Sequence, residues 1–249
     1  MKLVKLGLLN IFLFTLVTGY TQELAQLSTP EHEKKLVITH VAGDNYVFTS
    51  YNTFKGKKYS AHGMYVVTRD GVVLINTTWD ETQMQPLLDS IMERHQKKVV
   101  LAIATHFHED CVAGIKFLRD RGIKTISSKQ TYDLCKVHDT ANQPEFYFTK
   151  DTTFTIGGHK IQTYYPGAGH AKDNQVVWLK DQNILYAGCL ARSIATSSLG
   201  NIADGDVKEW PSSIRRVMKK FPKHRYVITG HDDWKSNDSL EHTLKLVER

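Results

Sequence analysis

A layered α/β protein is the fold class that the sequence predicts, on three observations. Apolar runs of strand length recur from Leu36 to Ile228, several of them closed by Gly or a turn pair. Segments with apolar residues at helical spacing lie between these runs, and helices alternating with strand clusters stack as sheets covered by helices. No Pro- or Gly-rich linker, low-complexity tract or fixed-period repeat divides the chain, so one large domain is expected.

Taken in order, the chain opens with Lys2 and Lys5 ahead of an apolar core from Leu6 to Val17, followed by Thr18 and Gly19. This is a secretory leader pattern, too short for a membrane span and without a stop-transfer segment. Cleavage between about Gly19 and Gln22 is expected, giving a leader over 1–21 and a soluble, periplasmic domain over 22–249. The formal net charge of +6 includes the two leader lysines, and the others are scattered, which argues against a nucleic-acid partner. A small-molecule substrate, a monomeric state and no membrane association after leader removal are the corresponding expectations.

From Leu36 to Asn76 the pattern is β, with strands over 36–40, 46–50, 59–68 and 72–76 and Asp70-Gly71 as a hairpin turn. Between two of these strands, Tyr51 to Lys58 is polar and contains Gly56, and it reads as a loop carrying one exposed aromatic, Phe54. Trp79-Asp80-Glu81-Thr82 opens a helix with Met84, Leu87, Leu88, Ile91 and Met92 on one face. A second helix runs from Gly114 to about Arg121, a strand covers 124–127, and another helix follows Ser128. Phe146 to Leu185 is β-rich, with Gly157-Gly158 as a turn. A helix over 206–221 is marked by an Asp206/Glu209 capping pair, the apolar stripe Trp210, Ile214, Val217, Met218 and Phe221, and the stop Pro222. A strand leading to His231 and a helix from Asn237 complete the chain.

Chemistry concentrates in Thr105-His106-Phe107-His108-Glu109-Asp110, directly after the apolar run Val99 to Ala104. In an extended segment side chains alternate, so His106, His108 and Asp110 face one cavity while Phe107 and Glu109 point away. Two imidazoles and a carboxylate suit zinc. Alone, a His-x-His pair is equally a polar loop. Further candidates close or follow other apolar segments: His170 after Gly169, Cys189 after Gly188, and His231 after Gly230. Six such ligands make two sites on a rigid scaffold. The other eight histidines follow no ligand pattern.

With these motifs the chain resembles the metallo-β-lactamases, over nearly all of its length from Asp44-Asn45-Tyr46-Val47 to Gly230-His231-Asp232-Asp233-Trp234. The resemblance implies an αβ/βα sandwich of four layers. It matches His106, His108 and His170 to a three-histidine zinc site, and Asp110, Cys189 and His231 to an Asp-Cys-His site, hence two Zn²⁺ per chain. Cys111, where other branches of the superfamily carry a ligand His, together with Cys189 and His106, points to the first, dizinc subclass. Asn76 stands where family members usually have Asp, so no role is carried over to it.

The implied activity is hydrolysis of the β-lactam amide of penicillins, cephalosporins and carbapenems, conferring antibiotic resistance. A water held between two Zn²⁺ ions is acidified to hydroxide and acts as nucleophile. Asp110 and Asn201 are the implied catalytic residues, Asn201 also holding the lactam carbonyl; as a plain alternative, Asn201 is a turn residue. Arg192, where the subclass usually has Lys, is expected to bind the substrate carboxylate, or to pair with Asp204 or Asp206 and reach it through water. Tyr51 to Lys58 is expected to be a flap with Phe54 or Tyr51 as its apolar contact, and Trp79 is placed with the substrate-binding residues. Two rival functions share the same core: hydrolysis of another ester or thioester, and non-catalytic zinc binding. Cys135 reads as a buried, inert thiol, whereas Cys111 reads either as space-filling or as a perturbation of the second site.

Overall fold

The computed structural model describes residues 36–249; the expected leader lies outside them. Two sheets form in succession along the chain. The first has seven strands in sequence order: β1 (Val37–Ala42), β2 (Asn45–Phe54), β3 (Lys57–Thr68), β4 (Gly71–Ile75), β5 (Val99–Ala104), β6 (Lys124–Ser128) and β7 (Phe146–Phe148). Strands β1 to β4 pair antiparallel, and β4 to β7 pair parallel. The parallel crossovers carry α1 (Met84–His95), α2 (Glu109–Val112), α3 (Ile115–Arg119) and α4 (Lys129–His138). The second sheet has the order β12-β11-β10-β9-β8, from β8 (Thr153–Ile156), β9 (His159–Tyr164), β10 (Val176–Leu179), β11 (Ile184–Gly188) and β12 (Tyr226–Thr229). Helices α5 (Trp210–Lys220) and α6 (Ser239–Val247) accompany it.

Alternation along the strands explains the layering. Val47, Met64, Val66, Val73 and Ile75 of the first sheet meet Ile161, Val177, Leu179, Ile184 and Ile228 of the second in a central core. Their neighbours Phe48, Tyr65, Val72 and Leu74 point outward and pack on Met84, Leu87 and Ile91 of α1. On the far side, Val176, Leu185, Ala187 and Val227 pack on Trp210, Ile214 and Val217 of α5 and Leu240 of α6. Strands covered on both faces must be apolar at every position, which is why 72–75 and 184–187 read as continuous runs rather than as alternating ones. The result is the expected αβ/βα sandwich.

Four local expectations are corrected. Tyr51 to Lys58 is not a loop: β2 and β3 pair without interruption to Phe54↔Lys57, and the turn is the pair Lys55-Gly56, with φ of 50° and 74°. These left-handed values define a tight mirror-image turn, and the arm escapes detection because its outer half has no buried face to impose alternation. The segment 105–110 is not extended, because His108 ends the loop and Asp110 lies in the single turn of α2. The helix expected over 114–121 is the shorter α3, Ile115–Arg119, with Gly114 as its N-cap, and the separate turn α2 precedes it. In the expected 206–221 helix, Asp206 Oδ1 accepts from the Glu209 amide at 2.9 Å, but α-helical geometry starts at Trp210. The reciprocal half of the capping pair is missing because the Glu209 carboxylate accepts from Arg216 instead.

Candidate metal centre

The loop after β5 is aimed by a buried polar chain. Asn76, with φ 65° at the end of β4, accepts the Thr105 amide on Oδ1 at 2.9 Å and donates from Nδ2 to the Tyr186 hydroxyl at 2.7 Å. Tyr186 in turn donates to the His62 carbonyl at 2.6 Å. An amide supplies acceptor and donor together, which a carboxylate does not. The chain thereby ties β3, β4 and the start of the histidine loop to β11 of the opposite sheet. Sequence reasoning left Asn76 without a role because it replaces the family's usual Asp, and its partners here are distant in sequence.

His106, His108 and His170 converge, with ring centroids 4.8, 5.0 and 5.4 Å apart. His108 Nδ1 lies 3.0 Å from His170 Nε2. The other ring nitrogens of two of the three are held from behind: His108 Nε2 by the Asp204 carboxylate at 3.0 Å and His106 Nδ1 by the Cys111 sulfur at 3.1 Å. His106 Nε2 is buried without a hydrogen-bond partner among the described residues, a costly state for an imidazole nitrogen unless a cation takes its lone pair. The carboxylate–histidine contact through Asp204 is another feature sequence reasoning missed; its only signal was an Asp in the loop after Asn201.

Asp110, Cys189 and His231 form a second trio. Asp110 Oδ2 lies 3.1 Å from both Cys189 Sγ and His231 Nε2, and the three donor atoms fall within 4.8 Å of one another. His231 is oriented from behind by the Ser60 carbonyl, 2.6 Å from its Nδ1. Gly230 is required here: a Cβ at that position would stand 2.4 Å from Cys189 Sγ. His106, His170 and Cys189 also lie within ligand distance of one another, so the two trios adjoin.

The electrostatics suit cation binding. The Cys111 thiol, hydrogen-bonded to Cys189, holds the Cys189 thiol well below its usual range; burial opposes this and the charge of His231 assists it. Burial works against protonated His231, yet the negative charge of Cys189 and the Asp110 carboxylate raise it well above the usual histidine value. His106 behaves likewise: burial lowers it, but Cys189 and Asp110 outweigh burial and raise it to about 9. Burial, aided by the charges of His106 and His108 and opposed by Cys189 and Asp110, pulls His170 down to about 4, leaving a neutral imidazole of the kind that ligates metals. A dication supplies the compensation that these protons give, so metal binding releases protons. Imidazole, carboxylate and thiolate donors in two adjoining trios fit zinc.

The expected substrate residues are placed differently from one another. Trp79 packs edge-on to His231, ring centroids 5.6 Å apart, with Tyr59 6.5 Å away. Phe54 stands 57% exposed at the end of the β2–β3 arm. Asn201 is exposed, its Oδ1 accepting from the Ala203 amide at 3.1 Å. Arg192 is only 8% exposed. Its Nε donates to the Ser198 carbonyl at 3.1 Å, its guanidinium lies under Gly200, and its Nη2 is 4.0 Å from the Asp232 carboxylate. The acidic partner is therefore Asp232 rather than Asp204 or Asp206: Asp204 is engaged by His108, and Asp206 Oδ1 accepts the Lys208 and Glu209 amides in the turn ahead of α5.

Comparison with known proteins places these features in context. The sequence description of the metallo-beta-lactamase superfamily matches residues 60–231. A metallo-beta-lactamase type 2 from Elizabethkingia meningoseptica is 37% identical over 247 residues, covering 99% of this chain and 95% of that protein. Metallo-beta-lactamase IND-1 from Chryseobacterium indologenes is 37% identical over 82% of this chain and 85% of its own length. Among solved structures, a metallo-beta-lactamase from Pontibacter korlensis superposes with a TM-score of 0.83 at 35% identity, covering 86% of this chain and all of that one.

Proposed function

Since the chain belongs to the metallo-beta-lactamase superfamily, we propose that it is a zinc-dependent β-lactamase, hydrolysing the lactam amide of penicillins, cephalosporins and carbapenems and so conferring resistance to them. His106, His108 and His170 hold one zinc, and Asp110, Cys189 and His231 hold the second. The observation that carries this reading is the pair of adjoining trios, with a buried, unpartnered His106 Nε2 in one and a shared Asp110 oxygen in the other. Bound zinc supplies Lewis acidity, lowering the pKa of water toward neutrality and polarising a carbonyl.

The protein's own residues supply the positioning. Asp204 fixes the ring of His108, and the Ser60 carbonyl fixes that of His231, so the donor atoms are set before metal arrives. Asp110 presents one oxygen to its trio, while its other lies 3.8 Å from His106 Nε2, beside the first site. Asn201 commits its oxygen to Ala203, which leaves the NH₂ group as the donor for the lactam carbonyl. Trp79 and the Phe54 arm form the apolar side of the cleft and restrict water, and Arg192 offers its charge to the substrate carboxylate from beneath Gly200.

We assign the protein to the periplasm as an exported protein, on the basic and apolar pattern of residues 2–17. No helix among the described residues is long and apolar enough to cross a membrane. The test is turnover of a penicillin and a carbapenem with and without chelator, paired with metal counting. Lactam hydrolysis lost on chelation and restored by zinc is expected. Hydrolysis confined to other esters or thioesters, or two bound zincs without turnover, would overturn the proposal.

A further inference from the structure

Tyr186 of β11 is fully buried in the central core between the two sheets. A hydroxyl taken into such a core must be paired, and this one is paired twice. It accepts from Asn76 Nδ2 at 2.7 Å and donates to the His62 carbonyl at 2.6 Å. Each partner leads to a different metal trio. Asn76 holds the Thr105 amide at 2.9 Å, one residue before His106 of the first trio. His62 donates its own amide to the Gly230 carbonyl at 2.9 Å, one residue before His231 of the second. The same end of β3 fixes that segment again, since the His62 ring meets the Asp232 carbonyl at 2.6 Å and the Ser60 carbonyl meets His231 Nδ1 at 2.6 Å. A Cβ at Gly188 would stand 3.1 Å from the Tyr186 ring, so the ring also backs the strand end just ahead of Cys189.

We infer that Tyr186 is a positioning residue, whose hydroxyl sets the two metal trios in register by joining the backbone ahead of His106 to the backbone ahead of His231. This rests on the reading of the two trios as metal sites. Phenylalanine keeps the ring and removes the oxygen, so Asn76 Nδ2 and the His62 carbonyl both lose a buried partner. An unpaired buried donor or acceptor is costly, so each group turns toward another partner and carries its ligand segment with it.

Zinc is silent in the visible, so it is removed by chelator and Co²⁺ is titrated back: a thiolate-to-cobalt band marks the Cys189 site, and the ligand-field bands report both sites. Urea midpoints of the metal-free forms are measured alongside. Tyr186→Phe is expected to weaken both sites by about 10-fold, as for residues that orient ligands from behind. A hydroxyl that only supports the core lowers the urea midpoint and leaves the cobalt affinities unchanged; that result, or weakening of one site alone, would overturn the inference. Asn76→Asp gives a second reading that does not need the phenylalanine variant to fold. A carboxylate still accepts the Thr105 amide but has no N–H, so the Tyr186 hydroxyl turns to it and releases the His62 carbonyl. The Cys189 site is then expected to weaken by about 10-fold while the histidine site holds, and any other pattern counts against the chain. If the wild type shows no thiolate band, the second trio falls and this role with it; a thiolate band with unaltered variants removes only the role of Tyr186.

Discussion

At the scale of single residues, Cys189 and Arg192 give the sharpest tests. Cys189 Sγ shares Asp110 with His231, and a serine hydroxyl at that place is a far poorer ligand for zinc. Cys189→Ser should leave the fold intact, lower bound zinc from two toward one per chain by elemental analysis, and slow turnover; two tightly held zincs at full activity would reject the assignment. Arg192 is a different case, because the structure gives its guanidinium intramolecular work beneath the Ser198–Asn201 turn. Arg192→Ala should lower kcat/KM for carboxylate-bearing lactams by about 1.5–3 kcal/mol, mainly through KM, as for a lost hydrogen bond to a charged group. If kcat/KM is unchanged while the urea midpoint falls, Arg192 supports the turn and does not hold substrate. These roles were unevenly legible. The six candidate ligands stood out because each closes or follows an apolar run, whereas Asn76, Asp204 and the acidic partner of Arg192 are defined by contacts between segments far apart in sequence.

Among the elements, the β2–β3 arm departs most from its sequence reading. Its strands run to a two-residue turn, with Lys57 and Lys58 lying over the rings of Tyr59 and Tyr51. Gly56 has φ 74° and open space around it, so Gly56→Ala adds no clash and should cost about 1–2 kcal/mol from left-handed backbone alone, measurable as a lower thermal midpoint. Phe54→Ala should leave that midpoint nearly unchanged, since the ring is largely exposed, while raising KM for substrates with bulky apolar substituents. Equal KM values in wild type and variant would remove Phe54 from the substrate cleft. Helix α5 was far more legible, because Trp210, Ile214 and Val217 face one core and Pro222 follows its end. Periodicity reports a face that is buried, and the outer half of the arm has none to report.

For the molecule as a whole, stability should depend on pH through His62. This imidazole is 5% exposed; its Nδ1 meets the Thr49 hydroxyl at 3.0 Å and its Nε2 the Asp232 carbonyl at 2.6 Å. Burial lowers its pKa to about 4 from 6.5, although the bond to Asp232 pulls the other way. Because the unfolded chain binds this proton and the folded one does not, the contribution is complete above pH ~6.5 and is lost as pH falls toward ~4. The shift corresponds to about 3 kcal/mol. Urea midpoints of wild type and His62→Asn should therefore converge as pH drops through that window; a constant gap would show that His62 stays neutral when unfolded or charged when folded. A layered α/β protein was legible at this scale because helical segments alternate with apolar strand runs, whereas the αβ/βα order came only from the family resemblance and the division into two successive sheets was not legible, since hydropathy says nothing about which strands pair.

The order of the strands has one more consequence. The first sheet ends at β7 and the second begins at β8, with Thr149, Lys150 and Asp151 exposed between them. The first stretch contains His106, His108 and Asp110, and the second contains His170, Cys189 and His231, three proposed ligands each. Neither stretch can complete either metal trio alone, and each exposes an unpaired apolar sheet face that only the other covers. Cut at that exposed connection and produced as two polypeptides, the protein becomes a pair of complementary fragments whose reassembly is strengthened by zinc in proportion to its binding, an obligate two-part sensor made from a one-chain enzyme.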